Sequence, residues 1–308
     1  MGSESTLPRP PRAESAWYFG RLPVGQLVRR VLHESRAHEI FERAAALAFS
    51  FVLALFPLLV FFIAVVGLFV AHRTALLNRL FWYLSDLMPA SAVDLLRAVL
   101  DELAQSTSRG KITFGILAAL WIGSGALSSM IAAFNTIYAV RERRSWLRIR
   151  GTALALTLVL SVLMFLSLSL LHLGGYLVIW AGRQLGLSAV LSMTWTVARW
   201  LGAALFALVS FSLIYYFGPA LEHRRWHWIT PGSVIGVALW FGASIGFRYY
   251  LYFFNTYGAA YGSLGAAVIL LVWMYVSGLA FLVGAELNAV ISQAGQARRQ
   301  SPPPAGTR

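Results

Sequence analysis

The sequence predicts an all-α fold: a polytopic membrane protein with a six-helix transmembrane bundle and an extracytoplasmic amphipathic helical hairpin. Three observations predict it. Hydrophobic residues make up 58% of the 308-residue chain and charged residues only 12%, whereas soluble domains carry about 25% charge. Several stretches long enough to cross a bilayer contain no Asp, Glu, Lys or Arg. The apolar residues show no alternation of period two, so a membrane barrel is set aside. Helices satisfy their own backbone inside lipid. The composition also excludes a disordered chain. The absence of cysteine excludes a disulfide scaffold and a thiolate metal site.

Taken in order, the charge-free stretches place spans at about 44–70, 112–138, 152–180, 190–217, 231–254 and 262–288. The last charge-free run, 249–285, is too long for one span and is broken by Asn255, Gly258 and Gly262. Residues 24–43 set Leu27, Val31, Ser35, Ile40 and Phe41 among charged neighbours, which predicts a short amphipathic helix on the inner surface. Between the first two spans, 72–111 carries two apolar stripes separated by Pro89. This predicts the outer hairpin, its second helix opened by Ser91 and Asp94 as a variant capping box. Residues 1–23 and 291–308 read as disordered cytoplasmic tails around a single membrane domain at 24–290. No apolar signal region occupies the first 30 residues.

The net charge of +13, from 25 basic and 12 acidic residues, sets the orientation. With the N-terminus inside, the inner segments 24–43, 139–150, 218–230 and 291–308 hold fourteen arginines, among them Arg43, Arg141, Arg144, Arg148 and Arg150. The outer segments hold six basic residues, diluted by Asp86, Asp94, Asp101 and Glu102. The positive-inside rule therefore puts both termini in the cytoplasm. It also assigns the excess charge to topology and to contact with anionic lipids at that face, not to nucleic acid.

Five strings stand out: RAAALAFSFVLALFPLL at 43–59, WIGSGALSSMIAAFNTIYAVRERR at 121–144, YYFGP at 215–219, TPGSVIGVALWFGASIGFRYYL at 230–251 and YGSLGAAVILLVWMYVSGLAFLVGAELNAV at 261–290. In this order they resemble the YihY/BrkB family of bacterial inner-membrane proteins, over about residues 25–293. The resemblance implies six transmembrane helices in the cytoplasmic membrane. It also brings a "ribonuclease BN-like" label, a link to virulence, and export or flipping of envelope lipids or glycans.

The residues do not support a nuclease. Phosphodiester hydrolysis usually takes two metals or a set of acids and bases. The six histidines are His33, His38, His72, His172, His223 and His227. His33 and His38 are five apart, which turns their rings about 140° from one another on a helix. Only Glu222 stands near His223 and His227. Both pairs read as solvated surface. No phosphate-binding glycine loop occurs. No metal, catalytic residue or cofactor is therefore assigned.

Ionisable groups at membrane depth are the remaining candidates. Arg199 starts the fourth span from outside and Arg248 ends the fifth, so both fall in the outer half. Facing each other they would bind a phosphate or carboxylate; snorkelling with Tyr249, Tyr250 and Tyr252 is the alternative. Glu286, near the inner end of the last span, opposes the helix dipole and calls for a cation, with Arg43 at a compatible depth. That pair is either a lock or a gate. Pro57 should kink the first span. Asn135 and Tyr138 can hydrogen-bond across helices, and Asn288 is suited to capping. Gly123-Ser124-Gly125 reads as a close-packing surface. Together with the family resemblance, Arg199 and Arg248 favour export or flipping of an anionic or amphiphilic envelope lipid or glycan. The rival is a non-transporting scaffold for envelope assembly, in which the arginines are anchors.

Overall fold

The computed structural model describes residues 23–69, 109–185, 188–221, 229–253 and 256–300. They form eight helices and no strand among the described residues. We number them α1 (Val24–Ala37), α2 (Ile40–Phe69), α3 (Arg109–Gly123), α4 (Gly125–Ile137), α5 (Trp146–Leu185), α6 (Ser188–Phe217), α7 (Pro231–Phe253) and α8 (Thr256–Gln300). The outer hairpin, most of the N-terminal tail and residues 301–308 lie outside the described residues.

Among the described residues, five segments are long and apolar enough to cross a membrane: Ile40–Phe61, Thr113–Ile137, Trp146–Ser167, Met193–Phe217 and Ala267–Gly295. The expectation was six. α7 packs between α6 and α8 but is not one of the five. Its 23 residues include Gly232, Gly236, Gly242, Gly246 and Arg248, which dilute its apolar content. α3 and α4 form one span, interrupted at Ser124. Backbone hydrogen bonds still bridge the interruption, from Ser124 N to Leu120 O and from Ser128 N to Ser124 O. α2 runs unbroken through Pro57. Gly123 packs directly against Leu58, as the close-packing reading expects, whereas a Cβ on Gly125 would meet only Arg150 Nη1, at 3.9 Å.

Among the described residues the main buried cluster lies at one end of the bundle, the end that carries Arg36, Arg43, Arg141 and Arg144. We call this the basic end and its opposite the far end. Ile40, Ala44 and Leu47 from the start of α2 meet Phe134 and Ile137 from the end of α4. Phe211 and Tyr215 of α6, Val237 of α7 and Leu282 and Ala285 of α8 complete the cluster. Phe211 stacks on Phe281 with centroids 3.9 Å apart, and the Tyr215 hydroxyl donates to the Phe281 carbonyl at 2.8 Å. Glycines let the backbones come together here. A Cβ on Gly284 would fall 2.6 Å from the Gly232 carbonyl oxygen.

Toward the far end Gly174 of α5 is buried against the Trp195 ring of α6, and the α6 positions that follow Trp195 are open. Thr196 to Leu201 of α6 are exposed at every position, and six consecutive residues face all directions around a helix.

α1 is the amphipathic helix expected from the sequence. It buries Leu27 against Leu287, Val290 and Ile291 of α8. The opposite edge leaves Val24, Val28 and Leu32 exposed. The expected disordered tail from 291 is corrected: α8 continues to Gln300. Ile291 and Ala294 extend its apolar face and are buried, which stabilises those extra turns.

Candidate functional site

The basic end holds a chain of buried and half-buried polar groups. Glu286 is 1% exposed, and its carboxylate Oε2 lies 3.1 Å from His38 Nδ1. His38 and Glu39 form the two-residue joint between α1 and α2, and Glu39 adopts a left-handed φ of 51°. A non-glycine residue there is held against roughly 1–3 kcal/mol of strain by its surroundings. The expected Glu286–Arg43 pairing is corrected. Arg43 Nε donates instead to the His38 carbonyl at 2.8 Å. Arg43 follows the joint within one helical turn, so its side chain reaches back to the joint's backbone and the imidazole is left to meet the acid. The reading of His38 as solvated surface is corrected too: its side chain is 18% exposed. His33 is exposed, and the two histidines do not form a pair.

Asn135 joins α4 to both neighbouring links. Its Nδ2 donates to Glu142 at 2.7 Å and its Oδ1 accepts from Ala220 N at 2.8 Å. Glu142 also accepts from Arg144 Nη2 at 2.8 Å, and that nitrogen donates to the Gly218 carbonyl at 2.9 Å. The Arg144 hydrogen bond is the main cause that lowers the Glu142 carboxyl to about 2 from 4.5. A depressed carboxyl stabilises the folded chain above the unfolded pKa, and that contribution is lost as pH falls through the folded one. Glu142→Gln is therefore expected to lower the thermal denaturation midpoint at neutral pH. It should also remove part of the wild type's loss of stability between about pH 4.5 and about 2. Coincident curves would show that the clamp carries no stability.

Asn288 caps the start of α7. Its Oδ1 accepts from Gly232 N at 2.9 Å and its Nδ2 donates to Thr230 Oγ1 at 3.0 Å. Thr230 and Ser233 form a reciprocal capping box on the same turn, at 3.0 and 3.1 Å.

Arg199 and Arg248 are both exposed. α6 and α7 meet where Gly236 seats the ring of Phe211. Arg199 is twelve residues from Phe211, and Arg248 is twelve from Gly236. Each therefore lies about 18 Å from that contact toward the far end. The structure sets them at one level on neighbouring helices, in exposed surroundings that include Trp200 and Tyr249. Among the described residues neither forms an ion pair with a carboxylate.

The sequence missed Arg150, counting it with the loop arginines. It lies in the second turn of α5 and reaches the interruption between α3 and α4. Its Nη2 and the Ser124 hydroxyl both donate to the Trp121 carbonyl. Its Nη1 donates to Ser128 Oγ at 3.3 Å, and the guanidinium lies 4.7 Å over the Trp121 ring. The available signal was Gly123-Ser124-Gly125, a weak point at which a carbonyl can turn to a side-chain donor.

Comparison with known proteins agrees with these strings. The chain is 30% identical over 254 residues to "Putative ribonuclease-like protein YfkH" of Bacillus subtilis (strain 168), covering 82% of this chain and 90% of that one. It is 29% identical over 282 residues to a UPF0761 membrane protein of Rhodospirillum centenum and 31% identical over 273 residues to one of Ralstonia nicotianae. It spans 59% and 58% of those two relatives' lengths and is matched over 89% and 86% of its own. No solved structure matches it. The sequence model described as Virulence factor BrkB matches residues 31–307, and the chain belongs to that family of membrane proteins.

Proposed function

We propose that the protein moves an anionic or amphiphilic envelope component, a lipid or glycan, across the bacterial cytoplasmic membrane. The observation that carries this reading is the uneven packing. Phe134, Tyr215, Leu282 and their neighbours close the basic end, while α6 is exposed on all sides at Thr196–Leu201. A bundle closed at one end, with an open stretch of α6 beyond it, is suited to admit a ligand from the far side. The arginine count of the links makes the basic end cytoplasmic. On this reading Arg199 and Arg248 contact the anionic group from the outer side. The Glu286–His38 pair, braced by Arg43, is the inner gate. Anionic lipids attach to the arginines of the basic end.

The test is movement of a fluorescent anionic lipid in proteoliposomes, comparing wild type with Arg199→Ala plus Arg248→Ala. Loss of two charge-assisted contacts, each about 1.5–3 kcal/mol, predicts a fall of at least about tenfold. Equal, non-zero rates would remove the proposed anion site. No movement over a panel of anionic lipids and glycolipids would favour the scaffold.

A further inference from the structure

We propose that Arg150, seated on Trp121, forms a lateral binding site for the phosphate of a membrane phospholipid. The inference rests on the reading above, in which the protein handles an anionic amphiphile, and gives that ligand a chemical class: a phosphate diester carried on acyl chains.

The first argument is depth. Arg150 is the fifth residue of the candidate span Trp146–Ser167, near the edge of the apolar layer, and it holds the Trp121 carbonyl and Ser128 of the neighbouring span Thr113–Ile137. A guanidinium that close to the apolar layer is costly unless an opposite charge answers it. Among the described residues, its partners are all neutral: a carbonyl, a hydroxyl and an indole face. Its Nε is buried with no hydrogen-bond partner. The two bonds from Nη1 and Nη2 use two of the five N–H groups of the fork. The positive charge is positioned by this shell and is not neutralised by it.

The second argument is access. Arg150 is half-buried, and the surface around it is apolar and open. Trp121 is 43% exposed, and Trp146, which meets it edge-on at 6.0 Å, is 64% exposed. Leu117 and Ile122 continue the exposed surface along α3. In a membrane this surface faces lipid, so the anion present there at high concentration is a lipid phosphate. The chemistry fits. A planar guanidinium binds phosphate oxygens through its paired N–H edge. Tryptophan rings sit well against headgroups, and Leu117 and Ile122 offer apolar contact to an acyl chain. A soluble anion would have to leave water to reach the same place.

The experiment titrates the purified full chain with phosphatidylglycerol and counts retained lipid by native mass spectrometry. Arg150→Gln is expected to weaken one lipid adduct by about tenfold or more, the scale of a lost charge-assisted hydrogen bond. Trp121→Ala removes the platform and is expected to weaken the same adduct about threefold. It also decides the matter if Arg150→Gln does not fold. Unchanged adducts in both variants would overturn the proposal. Displacement of the lipid by millimolar inorganic phosphate would overturn it in favour of a free-anion site. Arg199→Ala plus Arg248→Ala is expected to keep this adduct. Lost flux in that variant and a lost adduct in Arg150→Gln are therefore separate results, and either reading can fail alone.

Discussion

Gly284→Ala is expected to destabilise the bundle by about 1–3 kcal/mol, as overpacking does where neighbours cannot move aside. The added methyl would fall 2.6 Å from the Gly232 carbonyl oxygen and would also press on the Tyr215 hydroxyl. One obstacle is backbone. The other is a side chain already fixed by its hydrogen bond to the Phe281 carbonyl. Relief requires moving α7 away from α8, which also pulls Gly232 N off Asn288 and opens the α7 cap. Gly242→Ala is the control. Nothing lies within 4 Å of its would-be Cβ, and alanine is the better helix former. Thermal denaturation in detergent should therefore show a lower midpoint for Gly284→Ala and an unchanged or raised one for Gly242→Ala. Equal midpoints would refute the close approach of α7 and α8.

The helices were legible because charge is expensive in lipid. A run without Asp, Glu, Lys or Arg marks a span without knowledge of its neighbours, and the starts of α6 and α7 fall within two residues of expectation. The C-terminal end of α8 was not legible in this way. Val290 and Ile291 look like the fading edge of a span, and the docking of Leu27 from α1 turns them into core. Polar partners were harder still. Charge logic matched Glu286 with Arg43, the nearest strong cation by depth. The choice was made by the left-handed turn at Glu39, which brings His38 to the acid. Arg150 was hidden for a related reason. In sequence it closes a run of loop arginines, and its reach to Trp121 depends on how α5 lies against the interruption at Ser124.

His38→Ala should test the Glu286 pairing most directly. Removing one partner of a buried pair typically costs about 3–5 kcal/mol, because the remaining charge has no answer. His38 keeps some exposure, and the carboxyl can take up a proton, so the lower end, about 3 kcal/mol, is expected. Glu286→Gln keeps a hydrogen-bonding group without the charge and should cost less. His38→Ala combined with Glu286→Leu removes both polar partners and should recover most of the loss, since an apolar replacement of a buried pair is often neutral. The coupling between the two sites is then read from a double-mutant cycle of denaturation midpoints. Additive losses would show that the 3.1 Å contact carries no energy. The same series reports on α1. Its docked face rests on Leu287, Val290 and Ile291, one turn from Glu286 on the same helix. Loss of His38 should therefore speed proteolysis within Val24–Ala37, and the double variant should reverse that gain only if apolar contact alone holds α1 in place.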